Sequence, residues 1–321
     1  MGTIKKIKYP GRKHGSFEQE WLCHKDASEW WYCTGIGMDE QKNEYSFQFT
    51  LIKAHFGFLN IWMAHQAVTD VSGNKHYYDK KRAYTSRDVT ITEDMAQFGD
   101  FLKIIKGKSG MHMTVNADNF CFDMDMEYGK GAFWHCDNGF LMMGSDDFSE
   151  KESTTYYSYP SMPTKGTITM EGRTVHVQGS SWFDKQGGPY SLVDRKTHWE
   201  WFSFRFFDNE QIMLFSFPQN NMYTDGTYIT DKATRLTNYT IKPLDFVEVW
   251  ELRFSKGWEI TMPGIKEEFY TVTPVVDGQM HSMYFEELCE VRNREGILVG
   301  KAFVELLPGV LNKEFANTIV K

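Results

Sequence analysis

An excess of basic charge is missing from this sequence. Lys and Arg total 35 against 43 Asp and Glu, giving a formal charge of −8 and a pI near 5.7. A chain that grips a phosphate backbone needs a basic surface, so nucleic acid is excluded as a partner. Long hydrophobic runs are missing too. No stretch approaches the roughly 18 apolar residues of a membrane-spanning helix, so no integral membrane segment is expected. The basic start, "MGTIKKIKYPGRKHG", has no apolar stretch of the kind a signal peptide carries. It also lacks the Ser or Thr at the sixth position that N-myristoylation favours. Cysteine is scarce: Cys23, Cys33, Cys121, Cys136 and Cys289 are odd in number and show no CxxC spacing. Reduced structural thiols in a cytoplasmic protein are the expectation, and the sequon at Asn238 carries no weight without secretion. The familiar catalytic signatures are absent as well: GxGxxG after a strand, GxxxxGK[ST], HExxH and GxSxG. Nor do the histidines and cysteines fall at metal-ligand spacing, so neither a metal nor a cofactor is expected.

Aromatic residues, by contrast, are abundant: Phe, Trp and Tyr make up 16% of the chain, with 10 Trp. Such residues favour strands and also line apolar ligand sites. The hydrophobic period is two. Phe47, Phe49 and Leu51 alternate with polar neighbours, as do Phe122, Met124 and Met126, and "FVEVWELRF" and "GKAFVELL" repeat the pattern. Alternation of this kind marks half-buried antiparallel strands. Turn clusters such as "DVSGNK", "GKSG", "HCDNG" and "RNREG" separate the strands, which predicts an all-β chain of barrels or sandwiches. Helical signal is confined to "LNKEFANTIVK" at the end. Pro160 and Pro163 lie between two blocks of similar length and texture. Proline interrupts a strand ladder, so the boundary is placed there: 1–158 as one barrel and 159–321 as a second. Small barrels and domain interfaces both hold apolar ligands.

Four segments, in order, carry a family resemblance. They are "SEWWYCTGIG", "WMAHQAVTDVSGNKHYYDKKRAY", "TTYYSYPSMPTKGTITMEGRTVHVQGSSWFDKQGG" and "MYFEELCEV…GILVGKAFVELLP". The chain resembles the two-domain lipocalin-like family of carotenoid 1,2-hydratases (hydroxyneurosporene synthase), AttH-domain proteins, kievitone hydratase and fungal Diels–Alderases. The resemblance implies two consecutive lipocalin-like antiparallel β-barrels, no cofactor and a hydrophobic unsaturated small-molecule substrate. Hydration or dehydration of a C=C bond is the implied reaction in secondary metabolism. Intramolecular cyclisation or isomerisation is the alternative, and a non-catalytic carrier of an apolar ligand is a third reading. A homodimer stays open. This chain departs from the family pattern after Asp184, where Lys185 and Gln186 run into Gly187 and Gly188 in place of a Trp. Glycines in place of that Trp suggest a wider mouth and a substrate that is bulkier or differently placed.

Water addition needs a proton donor, a group that directs water and, for a cationic intermediate, aromatic faces. Asp184, two residues from Trp182 and so on its strand face, is the first acid/base candidate. His65, with Gln66 beside it, and Glu286, a charge between Tyr284 and Leu288, are the next two. Tyr157 is the fourth, a phenol able to protonate an enolate or anchor a phenolic substrate, and it shares a face with Tyr159. In "HWEWFSFRFF" Phe202, Phe204 and Phe206 form a core stripe. Trp199, Trp201, Ser203 and Arg205 occupy the other face, where an unpaired buried Arg would be costly, so that face reads as a ligand floor. Trp31, Trp182 and Gln186 complete the expected substrate-binding set.

Overall fold

In the computed structural model the described residues are 2–11, 13–136, 138–143, 149, 151–190, 198–217, 223–250, 252–282 and 284–307. The first elements are β1 (Lys6–Ile7), α1 (Phe17–Glu20) and β2 (Cys23–His24). Four long strands follow: β3 (Ser28–Met38), β4 (Glu44–Phe56), β5 (Leu59–Asp70) and β6 (Lys75–Ala83). Shorter ones come next: β7 (Val89–Ile91), β8 (Met95–Phe98), β9 (Leu102–Lys106), β10 (Gly110–Asn116) and β11 (Phe120–Glu127). After β12 (Phe133–Trp134) and β13 (Phe140–Met142), β14 (Ser153–Met170) and β15 (Arg173–Gly188) are the longest of all. β3 to β15 form one 13-stranded antiparallel sheet in the order β6-β5-β4-β3-β15-β14-β11-β10-β9-β8-β7, with β12 and β13 pairing β14.

The second sheet has 10 strands. It contains β16 (Trp199–Phe206), β17 (Gln211–Phe217), β18 (Tyr223–Ile229), β19 (Ala233–Leu236) and β20 (Thr240–Val249). It continues through β21 (Leu252–Thr261), β22 (Phe269–Pro274), β23 (Met280–His281), β24 (Tyr284–Asn293) and β25 (Leu298–Leu307). Their order is β19-β18-β17-β16-β25-β24-β22-β21-β20, with β23 on β24. The architecture is therefore nearly all β, two curled antiparallel sheets forming consecutive half-barrels, as the alternation predicts.

Each sheet closes over its own core. In the first, Trp31, Cys33, Phe47, Phe49, Leu51, Phe122, Met124 and Phe183 are buried together. The curl brings the β6 edge round, so that Lys81 lies over the Phe101 ring and Asp79 accepts from the Asp118 backbone. The N-terminal segment plugs this core. Ser16 caps α1 in a reciprocal capping box with Gln19, and Trp21 follows fully buried. In the second, Phe202, Phe204 and Phe206 form the expected stripe, and Phe202 meets Trp258 edge to face at 5.3 Å. Burying an aromatic side chain contributes roughly 2–3 kcal/mol, so each stripe is a major part of its unit's stability.

The described residues divide into two compact units, the first running through residue 142 and again over 149–190, the second comprising residue 143 and 198–307. The boundary expected after residue 158 thus falls inside β14, a strand of the first sheet. Pro160 and Pro163 do not end the strand: Pro160 falls in the bulge where the register shifts between Tyr159 and Met162, and Pro163 lies beyond it, opposite Ser180 in the continuing ladder. The helix expected at the C-terminus lies outside the described residues. All five cysteines are free thiols. Among the described residues no helix is long and apolar enough to cross a membrane.

Candidate functional site

β15 runs through the middle of the first sheet, paired with β14 on one side and β3 on the other. Alternation sends Trp182, Asp184 and Gln186 to one face and Phe183 and Lys185 to the core. Asp184 lies opposite Ser158 in β14 and Tyr32 in β3. Directly opposed residues of an antiparallel pair share a face, and the side chains converge accordingly. Trp182 Nε1 donates to Asp184 Oδ1 at 2.6 Å, Tyr156 OH donates to Oδ2 at 3.0 Å, and the Ser158 hydroxyl donates to Oδ1. The carboxylate is buried and so held by three donors. Beyond it, His135 Nε2 lies 2.5 Å from Ser158 Oγ. Its ring packs 4.1 Å from that of Tyr156.

This network assigns the imidazole tautomer. Ser158 has one proton, which goes to Asp184, so its oxygen accepts and His135 Nε2 carries the hydrogen. Burial pushes the His135 pKa down to about 3, so the ring is neutral and Nδ1 is a bare lone pair. That buried nitrogen has no hydrogen-bond partner among the described residues. The result is a chain from a buried, unsatisfied acceptor, through Ser158, to a carboxylate. Gln186 on the same face donates to Thr154 Oγ1 at 2.8 Å.

His65 lies in the same lateral row, through Tyr32 and Thr50, three strands from Asp184 and so roughly 14 Å away. Burial, with Lys80 and Arg82 adding to it, lowers its pKa to about 4. It is a neutral imidazole packed edge-on to Tyr78, and the structure does not bring it to Asp184.

Four other expected residues face the core of the first sheet. Trp31 Nε1 donates to the Trp21 carbonyl at 3.0 Å, with Lys185 Nζ 4.4 Å from the ring centre. Tyr157 OH reaches the Phe17 carbonyl, Tyr159 stacks on Tyr128, and Gln66 is buried on the core face of β5. Tyr157 and Tyr159 share a face as expected, but it is the core face, and Tyr156 and Ser158 are the residues of β14 that share the Asp184 face. The core end of β15 holds a buried ionic network instead. Glu29 contacts Lys53 at 2.6 Å, Lys185 at 2.8 Å and His24 at 3.1 Å, while His24 reaches Glu20 at 2.9 Å. Burial alone would raise the Glu29 carboxyl, but Lys185, Lys53 and His24 hold it well below the usual range. Burial likewise opposes protonation of His24, and the two carboxylates override it to raise its pKa.

Gly187 and Gly188 sit at this end, and they do not open a mouth. A Cβ on Gly187 would stand 2.3 Å from the Glu29 Cβ, and one on Gly188 2.0 Å from the Ser153 carbonyl oxygen. The glycines are needed for close strand approach, which overturns the inference of a widened site.

The second sheet has its own polar and aromatic face, opposite its core. Trp199 and Trp201 lie there, both buried, with Ser203 and with Arg205 over the Phe303 ring at 5.2 Å. Glu286 pairs across the ladder with Glu305, which in turn lies opposite Trp201. The two carboxyls are hydrogen-bonded to each other, and Trp199 Nε1 donates to Glu305 Oε1 at 2.5 Å. Burial raises the Glu305 pKa, an effect that those two hydrogen bonds only partly offset. On the core face of the same sheet, burial lifts Glu200 to about 7, with Ser255 donating to it, and Glu287 to about 8. Among the described residues no three His, Cys, Asp or Glu side chains are arranged to hold a metal ion.

The family model described as AttH-like matches residues 9–309. The chain belongs to the AttH-like family. Among solved structures it is similar to an AttH protein from Nitrosomonas europaea, at 20% identity and TM-score 0.81, over 94% of this chain and 99% of that one. It is also similar to kievitone hydratase from Nectria haematococca, at 15% identity and TM-score 0.71, over 88% and 89%. CghA with Sch210972 matches at 9% identity and TM-score 0.53, over 89% of each chain. No functionally curated protein matches the sequence. At such identities the likenesses establish the AttH-like fold.

Sequence reasoning missed His135, Tyr156, Ser158 and Glu305. Tyr156 and Ser158 alternate with Tyr157 and Tyr159, and Glu305 stands in an alternating strand as the charged outlier, so these three had a signal. His135 had none: it sits in the "HCDNG" turn and reaches Ser158 only because β12 pairs with β14.

Proposed function

We propose that this AttH-like protein is a cofactor-independent lyase. It would add water to, or remove it from, a C=C bond of a hydrophobic terpenoid, polyketide or phenolic molecule. The observation that carries the reading is the His135–Ser158–Asp184 chain, with Tyr156 and Trp182 fixing the carboxylate. A water molecule or substrate hydroxyl placed at His135 Nδ1 meets a base whose other nitrogen is already hydrogen-bonded toward an acceptor. In hydration, a proton passes from the attacking water to Nδ1 while the Nε2 proton moves to Ser158 and the Ser158 proton to Asp184. In dehydration, the same steps run backwards and protonate the departing hydroxyl. In hydration the neighbouring carbon, left with the alkene electron pair when the C–O bond forms, takes that proton back along the same chain, which restores the Asp184 carboxylate, so net addition consumes no proton. The structural likeness to kievitone hydratase supports the reaction class.

The relay is tested directly with the purified protein. It is incubated in H₂¹⁸O with conjugated phenolic and terpenoid alkenes and their hydrated counterparts. Gain or loss of ¹⁸O is expected, and Asp184→Asn should lower the rate by roughly 10²–10⁴-fold, the span of general acid–base catalysis. Turnover that leaves Asp184→Asn intact overturns the site. Products that isomerise without ¹⁸O exchange favour cyclisation or isomerisation. Binding without turnover across the panel leaves a carrier of apolar ligands.

A further inference from the structure

The second unit carries a carboxyl pair of its own. We propose that the Glu286–Glu305 pair is a shared-proton site that donates a hydrogen bond to the carbonyl oxygen of an apolar α,β-unsaturated ketone or aldehyde. Glu286 and Glu305 are directly opposed on β24 and β25 and hydrogen-bonded to each other. A hydrogen bond between two carboxyl groups requires a proton on one of them, since an ionised carboxylate is only an acceptor. Like charges at that separation also oppose double ionisation. Trp199 Nε1 occupies one Glu305 oxygen from the side, and burial favours the neutral acid of Glu305.

The surroundings define the ligand. Across the ladder from Glu305 lies Trp201, then Phe215 on β17 and Asp225 on β18. Asp225 is neutralised by Arg235 at 2.9 Å. Phe303 and Ser203 form the neighbouring row, and Phe215 stacks on Phe217 at 5.3 Å. This is a row of aromatic faces ending in an acid, suited to an apolar body with one polar end. Arg205 and Lys301 stand opposite each other on the same face, four residues along and so roughly 13 Å from the pair. They already supply cationic charge, which argues against a cationic ligand. A carbonyl oxygen that takes the partner carboxylate's place as acceptor receives the hydrogen bond of the shared proton, which draws electrons from the conjugated C=C bond. The inference does not depend on the His135 relay, because it concerns other residues on another sheet.

The test uses the full chain and three probes: 1,3-diphenylprop-2-en-1-one, the corresponding allylic alcohol, and the corresponding allylic amine. Affinity is read by tryptophan fluorescence at pH 5 to 9, in wild type, Glu286→Gln, Glu305→Gln and Asp184→Asn. The enone should bind about tenfold more tightly than the alcohol, the worth of one good hydrogen bond. That preference should fall away in both Gln variants and persist in Asp184→Asn. Infrared spectra of the wild type should show a protonated-carboxyl band that shifts when the enone binds and is missing from the Gln double variant. Tighter binding of the amine, a band unmoved by the enone, or an enone preference retained in both Gln variants would overturn the proposal. Loss of ¹⁸O chemistry in Asp184→Asn with enone binding intact separates this site from the relay.

Discussion

Replacing Glu200 with Gln should make the protein more stable at pH 8 and leave it unchanged or slightly weaker at pH 5. Glu200 lies on the core face of β16 between Ser216 and Leu306, with the Ser255 hydroxyl donating to it. Burial raises its pKa from 4.5 to about 7, and the Ser255 bond recovers part of that penalty. The folded state therefore prefers the neutral acid. Below pH 4.5 both folded and unfolded chains hold the proton, and the group costs nothing. Between pH 4.5 and 7 the unfolded chain ionises while the folded one does not. Stability then falls by about 1.4 kcal/mol per pH unit, or about 3 kcal/mol in all, and levels off above the folded pKa. The amide of the Glu200→Gln variant keeps an acceptor for Ser255 and has nothing to titrate, so this loss disappears. Other groups also titrate in this range, but they cancel in the difference between variant and wild type. Urea midpoints at pH 5, 6, 7 and 8, converted with a common slope, give that difference directly. It should grow with pH and reach on the order of 3 kcal/mol in favour of the variant by pH 8. A difference flat to within about 0.5 kcal/mol across the range would refute the argument from burial. Glu287, lifted to about 8 on the same core face, supplies a control. Its own loss should continue to pH 8 in the Glu200→Gln background.

Glu29→Gln strips the central anion from Lys53, Lys185 and His24, all buried, and should cost about 3–5 kcal/mol by chemical denaturation. The His135 ring should stay neutral in ¹⁵N NMR at pH 5, with Nδ1 unprotonated, because burial holds its pKa near 3. Its contribution to stability is present above pH 6.5, the unfolded value, and is lost as pH falls towards 3. Ser158→Ala removes the acceptor that fixes the tautomer, and the two nitrogen signals should then average. Gly188→Ala should lower the melting temperature sharply, since its Cβ would meet the Ser153 carbonyl oxygen at 2.0 Å.

The period-two pattern by itself determined the class of structure. Alternation is a property of one strand, so it is readable without knowing the partner. The Phe202, Phe204 and Phe206 stripe and the Trp182–Asp184 pair were legible for that reason, each lying within a single strand. Which of two alternating faces turns inward was not legible. The bulge between Tyr159 and Met162 and the N-terminal plug decide that, and they place Tyr157 in the core and Tyr156 on Asp184. Pairs that join distant strands were also beyond reach: Glu286 with Glu305, His135 with Ser158, Glu29 with Lys185. Register is set by which strands pair and where each bulge falls, and a shift of one residue reverses every face. The same holds for Gly187 and Gly188. Their sequence suggested space, and the tertiary structure filled it with Glu29 and the β14 backbone. What the chain could determine alone was the rhythm of its strands. Where its charges met was decided by the folding of strands that lie far apart in sequence.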